Sequence, residues 1–187
     1  MLHEIEGVEA EAARVAGRPE AAAGTPVLAR FEVEPDGPAG EFAARVREVL
    51  GAVYGIAAEA DFDSDDELPV DTLPAWFTGV CRGGAGTEDF AAAGRDRFTA
   101  AYDGCVPWEV QGWLARFDPE EEARGWAFWD LTHSPEVPGR LRLWVDSRGE
   151  PMFSWEELRF LLYTAGARSV QHPSVLDTGA WEAEESV

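Results

Sequence analysis

Residues 26–34 (PVLARFEVE) alternate, with Val27, Ala29, Phe31 and Val33 on one side of an extended chain and Leu28, Arg30, Glu32 and Glu34 on the other. A period of two predicts a strand. Pro35–Gly37 reads as a turn. Phe42, Val46, Val49, Leu50 and Val53 then recur at helical spacing and predict a helix over 40–53 that stops by Gly55. Two more strands are predicted at 126–132 (WAFWDLT) and 140–146 (RLRLWVD), the second setting Leu141, Leu143 and Val145 against Arg140, Arg142, Trp144 and Asp146. A second helix over 155–165 carries Leu158, Leu161, Leu162 and Ala165 on its apolar face. Ser154 and Glu157 are spaced as a capping box, Phe153 and Leu158 as a hydrophobic staple, and Gly166 as a stop. Residues 168–172 (RSVQH) predict a last short strand.

Between the first helix and the second strand, residues 57–124 follow a different rhythm. Pro74–Cys81 predicts a short buried helix carrying Trp76, Phe77 and Val80. Gly83–Gly86 reads as a flexible break. Thr87 can cap a helix containing Phe90, Phe98, Ala101 and Tyr102. Pro107 can open another, with Val110, Trp113, Leu114 and Phe117 as its stripe, and Asp118-Pro-Glu-Glu121 predicts one more helical turn.

In order, the elements read β-α-(insertion)-β-β-α-β. This is the split βαβ pattern of a ferredoxin-like α+β fold with an antiparallel sheet. The implied organisation is a flexible N-terminal arm or frayed helix over 1–25, a single α+β domain over 26–176 containing the helical insertion 57–124, and an acidic tail over 177–187. A chain of 187 residues fits one domain of this kind.

Charge changes the picture in one respect. The formal net charge is −21, from 36 acids against 15 bases, and every base is arginine. The absence of Lys and Asn fits a high-GC bacterial genome, with a salt-loving source as the rival explanation. The acid is concentrated. Residues 1–11, 59–71 and 177–187 hold fifteen acids and no base, so the other 152 residues carry a net charge of only −6. Such a balance repels nucleic-acid backbones and anionic membranes and attracts a basic partner. The N-terminus lacks the basic and apolar regions of a signal peptide, and no stretch approaches the ~18 apolar residues of a membrane span. The expectation is a cytoplasmic protein with no nucleic-acid or membrane partner, whose Cys81 and Cys105 are free thiols.

Candidate chemistry is sparse. Asp61-Phe-Asp63-Ser-Asp65-Asp66 resembles the opening of a calcium loop. An EF-hand needs Gly at the sixth position and Glu at the twelfth, where this chain has Asp66 and Thr72. A solvated acidic loop is the plainer interpretation. Cys81, Cys105, His133 and His172 lack the short paired spacings of a zinc site. No metal or other cofactor is expected. Asp130 and His133, with Asp146, could orient a general base, yet Ser134, Ser147 and Cys105 sit in no nucleophile elbow. The Gly-rich CRGGAG at 81–86 lacks the Lys-Ser/Thr of a phosphate loop. Arg30, Glu32, Arg140, Arg142 and Trp144 would share one sheet face, either as an anion site or as cross-strand pairs beneath the insertion.

These observations favour a non-catalytic acidic interaction protein, such as an inhibitor, an immunity-type protein or an adaptor, that binds a more basic protein. Its contact set would be Asp61, Asp63, Asp65, Asp66 and Glu67 with the neighbouring aromatics Trp76 and Phe77. The alternative is a small-molecule-binding or enzymatic domain using Arg30, Arg142 and Trp144, or Asp130 and His133. A surface map separates them: an open acidic-aromatic patch for the first, a closed polar pocket for the second.

Overall fold

A computed structural model describes residues 5–20, 25–83, 87–101, 106–121 and 123–187. The protein is α+β, with a five-stranded, open antiparallel sheet and seven α-helices among the described residues. The strands are β1 (Val27–Pro35), β2 (Ala127–His133), β3 (Leu141–Asp146), β4 (Ala167–Val170) and β5 (Ser174–Asp177). They run in the order β2-β3-β1-β4, and β5 also pairs with β1. The alternation in β1 does what period two requires. Ala29, Phe31 and Val33 enter the main core, while Arg30, Glu32 and Glu34 remain partly exposed on the other face. Register places Glu32 opposite Arg142 and Arg30 opposite Trp144.

Two helices cover the apolar face. One is α2 (Ala39–Glu59), which buries Phe42, Val46, Val49, Leu50 and Val53. It continues beyond the expected stop at Gly55, because Ile56 and Ala57 extend the buried stripe while Gly55 faces open space. The other is α6 (Glu156–Thr164), which ends at Gly166 in the left-handed region at φ +110°. The expected capping box does not form. The N-cap position is Trp155, without a side-chain cap. The Glu157 carboxylate instead accepts the Trp126 indole N–H at 2.6 Å, and Ser154 Oγ accepts from Arg116 at 3.3 Å. A buried indole N–H without an acceptor costs more than an exposed helix end that water can satisfy.

The inserted helices are α3 (Ala75–Cys81), α4 (Asp89–Ala101) and α5 (Val110–Leu114), the last continuing as a 3₁₀ turn over Ala115–Phe117. They pack against α6 and α2 and do not lie over the polar sheet face as expected. Phe77 meets Trp113 at 4.6 Å and Phe160 at 6.0 Å between ring centres. At Gly94 the α4 backbone lies so close to α6 that a Cβ would stand 1.9 Å from the Tyr163 carbonyl oxygen, which only glycine permits. Asp118 does not open a helical turn. Its carboxylate accepts the Glu120 amide at 2.9 Å in a local turn. Tyr102 and Cys105 lie outside the described residues.

The two ends differ most from expectation. Residues 5–16 form α1 (Ile5–Ala16), packed against α2 and β2 with Val8, Glu11 and Val15 buried. At the other end, β5 pairs with the first half of β1 while β4 pairs with its second half. The acidic tail then forms α7 (Gly179–Glu182), and Trp181 joins Leu28, Trp129 and Trp144 in a second small core on the polar side of the sheet. No helix among the described residues is long and apolar enough to cross a membrane.

Candidate interaction surface

The C-terminal half of α2 presents small residues outward, and the chain then turns back beside them. Gly51, Ala52, Gly55 and Ile56 form the floor of an open groove of about 700 Å³. Its wall is the segment 59–72, which contributes five acids, Glu59, Asp61, Asp66, Glu67 and Asp71, while no arginine among the described residues lines the groove. All five side chains are exposed. The wall is anchored from beneath by Phe62, Leu68 and Val70, which pack on the core. A side-chain clamp holds its middle. Gln111 on α5 accepts the Leu68 N–H at 3.0 Å and donates to the Leu68 carbonyl at 3.1 Å. Two local turns shape the crest, with Asp61 accepting the Asp63 amide and Ser64 Oγ the Asp66 amide, each at 3.1 Å. Nothing in the sequence pattern marked Gln111. A single Gln on a five-residue helix carries no periodic signal.

The predicted acidic-aromatic patch is not what the fold builds. Asp61, Asp63, Asp65, Asp66 and Glu67 are exposed together, but Trp76 and Phe77 are buried, Phe77 completely. A ring in the core gains more from packing than from waiting at a surface, and the inserted helices supply the walls. Trp76 lies 5.4 Å from the Phe90 ring centre, and its indole N–H points to Glu48. The apolar side chains that line the groove instead include Ala52, Ile56 and Leu68.

The residues of the alternative site are occupied. Asp130 is fully buried and accepts from Trp181 Nε1 at 3.0 Å, Ser186 Oγ at 2.5 Å and Arg47 at 3.4 Å. His133 is exposed at the end of β2, and the Asp130 carboxylate is committed to the tail and α2, so the two do not form a base pair. Arg142 donates to Glu32 at 2.8 Å, to Glu136 at 2.5 Å and to Glu184. Arg30 lies 3.3 Å from Glu32. The cross-strand pairing anticipated for this face is present, but its cover is the tail. Cys81 is buried, which pushes its thiol up to about 12 and leaves it without thiolate character. Among the described residues no group of three or more His, Cys, Asp or Glu could hold a metal ion.

Two buried carboxylates show how acid is accommodated elsewhere. Glu11 on α1 accepts from Tyr54 Oη at 2.6 Å, the Phe128 amide at 2.7 Å and Arg124 at 2.9 and 3.1 Å. Burial alone would lower the Arg124 pKa, but the Glu11 charge beside it reverses the direction and raises it. Glu157 has a weaker counter-charge. Its Oε2 stands 3.5 Å from Arg116 Nε, and burial raises its pKa despite the Trp126 hydrogen bond.

The fold and groove together describe an α+β protein with an open, anionic, apolar-floored surface. Comparison with known proteins adds no family to that description: no family model matches the chain, and neither curated sequences nor solved structures match it.

Proposed function

We propose that this is a non-catalytic acidic interaction protein, of the inhibitor, immunity or adaptor kind, that binds a more basic protein through the groove between α2 and segment 59–72. The carrying observation is a groove of about 700 Å³ rimmed by five exposed acids and, among the described residues, by no base. An anionic rim speeds encounter with a cationic surface, and an apolar floor gives short-range contact once the partner has arrived. The Gln111 clamp and the crest turns hold the wall in place, which lowers the ordering cost of binding. We read the strand order β2-β3-β1-β4, antiparallel throughout, as a ferredoxin-like split βαβ sheet, with the first part of the insertion, segment 59–72, adding the groove wall. A high-GC bacterial source fits the Arg-only, Lys-free composition.

The test is kinetic. A basic partner is captured from the source organism with the full chain, and its association rate is measured against salt for the native protein and for Asp66→Ser/Glu67→Ser/Asp71→Ser, three of the acids that line the groove. The expected result is slower association at low salt and a flatter salt dependence, since the screening length falls from ~10 Å at 0.1 M to ~3 Å at 1 M. Equal rates for the two proteins at low salt would reject the groove as the contact surface.

A further inference from the structure

The polar face of the sheet carries a second constellation, separate from the acidic groove. Three donors from two strands converge on the Glu184 carboxylate. They are Arg142 Nη1, Thr132 Oγ1 at 2.5 Å and Trp144 Nε1 at 3.2 Å. Thr132 and Trp144 are fully buried, and Arg142 is only 6% exposed. The donors do not depend on Glu184 for their position. Arg142 is held through its Nε by Glu32 on β1 and through Nη2 by Glu136 in the β2–β3 turn. Trp144 Nε1 also donates to Thr132 Oγ1 at 2.9 Å. Glu184 itself comes from the tail, in the short segment after α7.

We propose that Arg142, Thr132 and Trp144 form a preorganised carboxylate-binding seat, which the protein fills in cis with Glu184. A guanidinium already oriented by two other acids, with a hydroxyl and an indole N–H beside it, presents one remaining face shaped for a carboxylate. The local charge permits such a ligand. With Glu184 absent, Glu32 and Glu136 balance Arg142 and Arg30, so the seat is close to neutral within a chain of net charge −21. The tail is then a tethered self-ligand, and an external carboxylate competes with it for the same three donors. That carboxylate is either a small organic acid or an acidic side chain on another polypeptide.

Full-length Glu184→Ala lacks the side-chain piece that acetate replaces. Its thermal unfolding is followed with acetate, with a peptide of residues 178–187, and with chloride at matched ionic strength. Acetate at ~10 times its dissociation constant is expected to raise Tm by about 3–6 °C in the variant and by much less in the native chain. Adding Trp144→Phe should reduce the gain. A larger gain with the peptide than with acetate assigns the seat to polypeptide carboxylates, and a gain with acetate alone assigns it to small organic acids. Acetate and peptide acting no differently from chloride overturns the proposal. Glu184→Gln covers the case in which the alanine variant does not fold, because it keeps the shape of the tail while turning an amide toward Arg142. Acetate is then expected to raise amide hydrogen exchange across residues 178–187 above the chloride control, and unchanged exchange overturns the proposal equally.

Discussion

Helix α1 and segment 59–71 are both acid-rich in sequence, but the fold buries one acid of α1, Glu11, while it leaves Glu6, Glu9 and every acid of the segment exposed. In α1, Glu11 is completely buried and accepts hydrogen bonds from Tyr54, Arg124 and the Phe128 backbone. In 59–71, the acids stand exposed on and beside the groove wall, where Asp61 accepts the Asp63 amide of the loop's own backbone. The difference lies in what surrounds them. Glu11 shares a helix face with Val8 and Val15, so burying the face buries the acid, and Arg124 must follow it. The acids of the loop flank Phe62, Leu68 and Val70, which reach the core individually and leave the carboxylates outside. Acid density says little about function until the partners are known.

The largest expected effect breaks this comparison at the buried end. Glu11→Ala takes the Glu11 carboxylate away from the buried Arg124 guanidinium, and the loss of one partner from a buried pair costs about 3–5 kcal/mol. Denaturant titration of the variant should show that loss. A change under ~0.5 kcal/mol, typical of surface substitutions, would place Glu11 in the same class as the loop acids.

Gln111→Ala sharpens the comparison at the exposed end. It removes both hydrogen bonds to Leu68 and leaves a part-buried backbone N–H and carbonyl to find water, a loss of about 1–2 kcal/mol. Amide exchange should rise across 61–70 and stay unchanged in α1. Unchanged exchange in the loop would mean that Phe62, Leu68 and Val70 alone hold the wall.

Glu157 tests whether burial or pairing decides the state of an acid. Its pKa is raised in the folded protein, chiefly by burial. The native state therefore binds a proton more readily than the unfolded chain above the ordinary carboxylate range. Stability from this group is full below that range and declines as pH rises through the folded pKa. Glu157→Gln keeps an acceptor for the Trp126 indole and should remove this decline, giving a variant at least as stable as the native chain near pH 7 and little changed in acid. Identical pH profiles for the two proteins would show that Arg116 compensates the charge fully.

How far the sequence announced these features depends on element length and on partner type. Strands β1 and β3 and helices α2 and α6 each carry enough repeats of one period to be read directly, while β2 reads as a short aromatic and apolar run without alternation. Strand β5 and helix α7 have four residues apiece, too few for any period, and both rely on neighbours: β5 on the free edge of β1, α7 on Trp129 and Trp144. The packing of α1 was hidden because a Glu-rich helix looks like surface until Arg124, far along the chain, is seen beside Glu11. Exposure of Asp61–Glu67 was legible from charge alone. The loss of Trp76 and Phe77 from that surface was not, since it depends on rings arriving from other helices, Phe90 beside Trp76 and Trp113 and Phe160 beside Phe77. The Glu157 side chain shows the same limit, because its spacing from Ser154 fits a cap but the buried Trp126 indole takes it.

The smallest expected effect is also the one that separates the two regions most cleanly. Asp63, Asp65 and Asp66 are exposed, and none has an ion pair among the described residues. Replacing all three with Ser removes three like charges from one crest while leaving the Asp61 and Ser64 turn acceptors in place. Surface changes of this kind usually shift stability by less than ~0.5 kcal/mol each, and relief of mutual repulsion acts in the stabilising direction. Thermal unfolding at low salt should therefore show no loss, and any small gain should fade as salt screens the remaining acids. The Glu11→Ala deficit should persist at high salt, because a buried pair is screened much less than a surface one. Loss of stability in the triple variant, insensitive to salt, would mean that these carboxylates hold structure as Glu11 does, and the contrast between the two acid-rich regions would collapse.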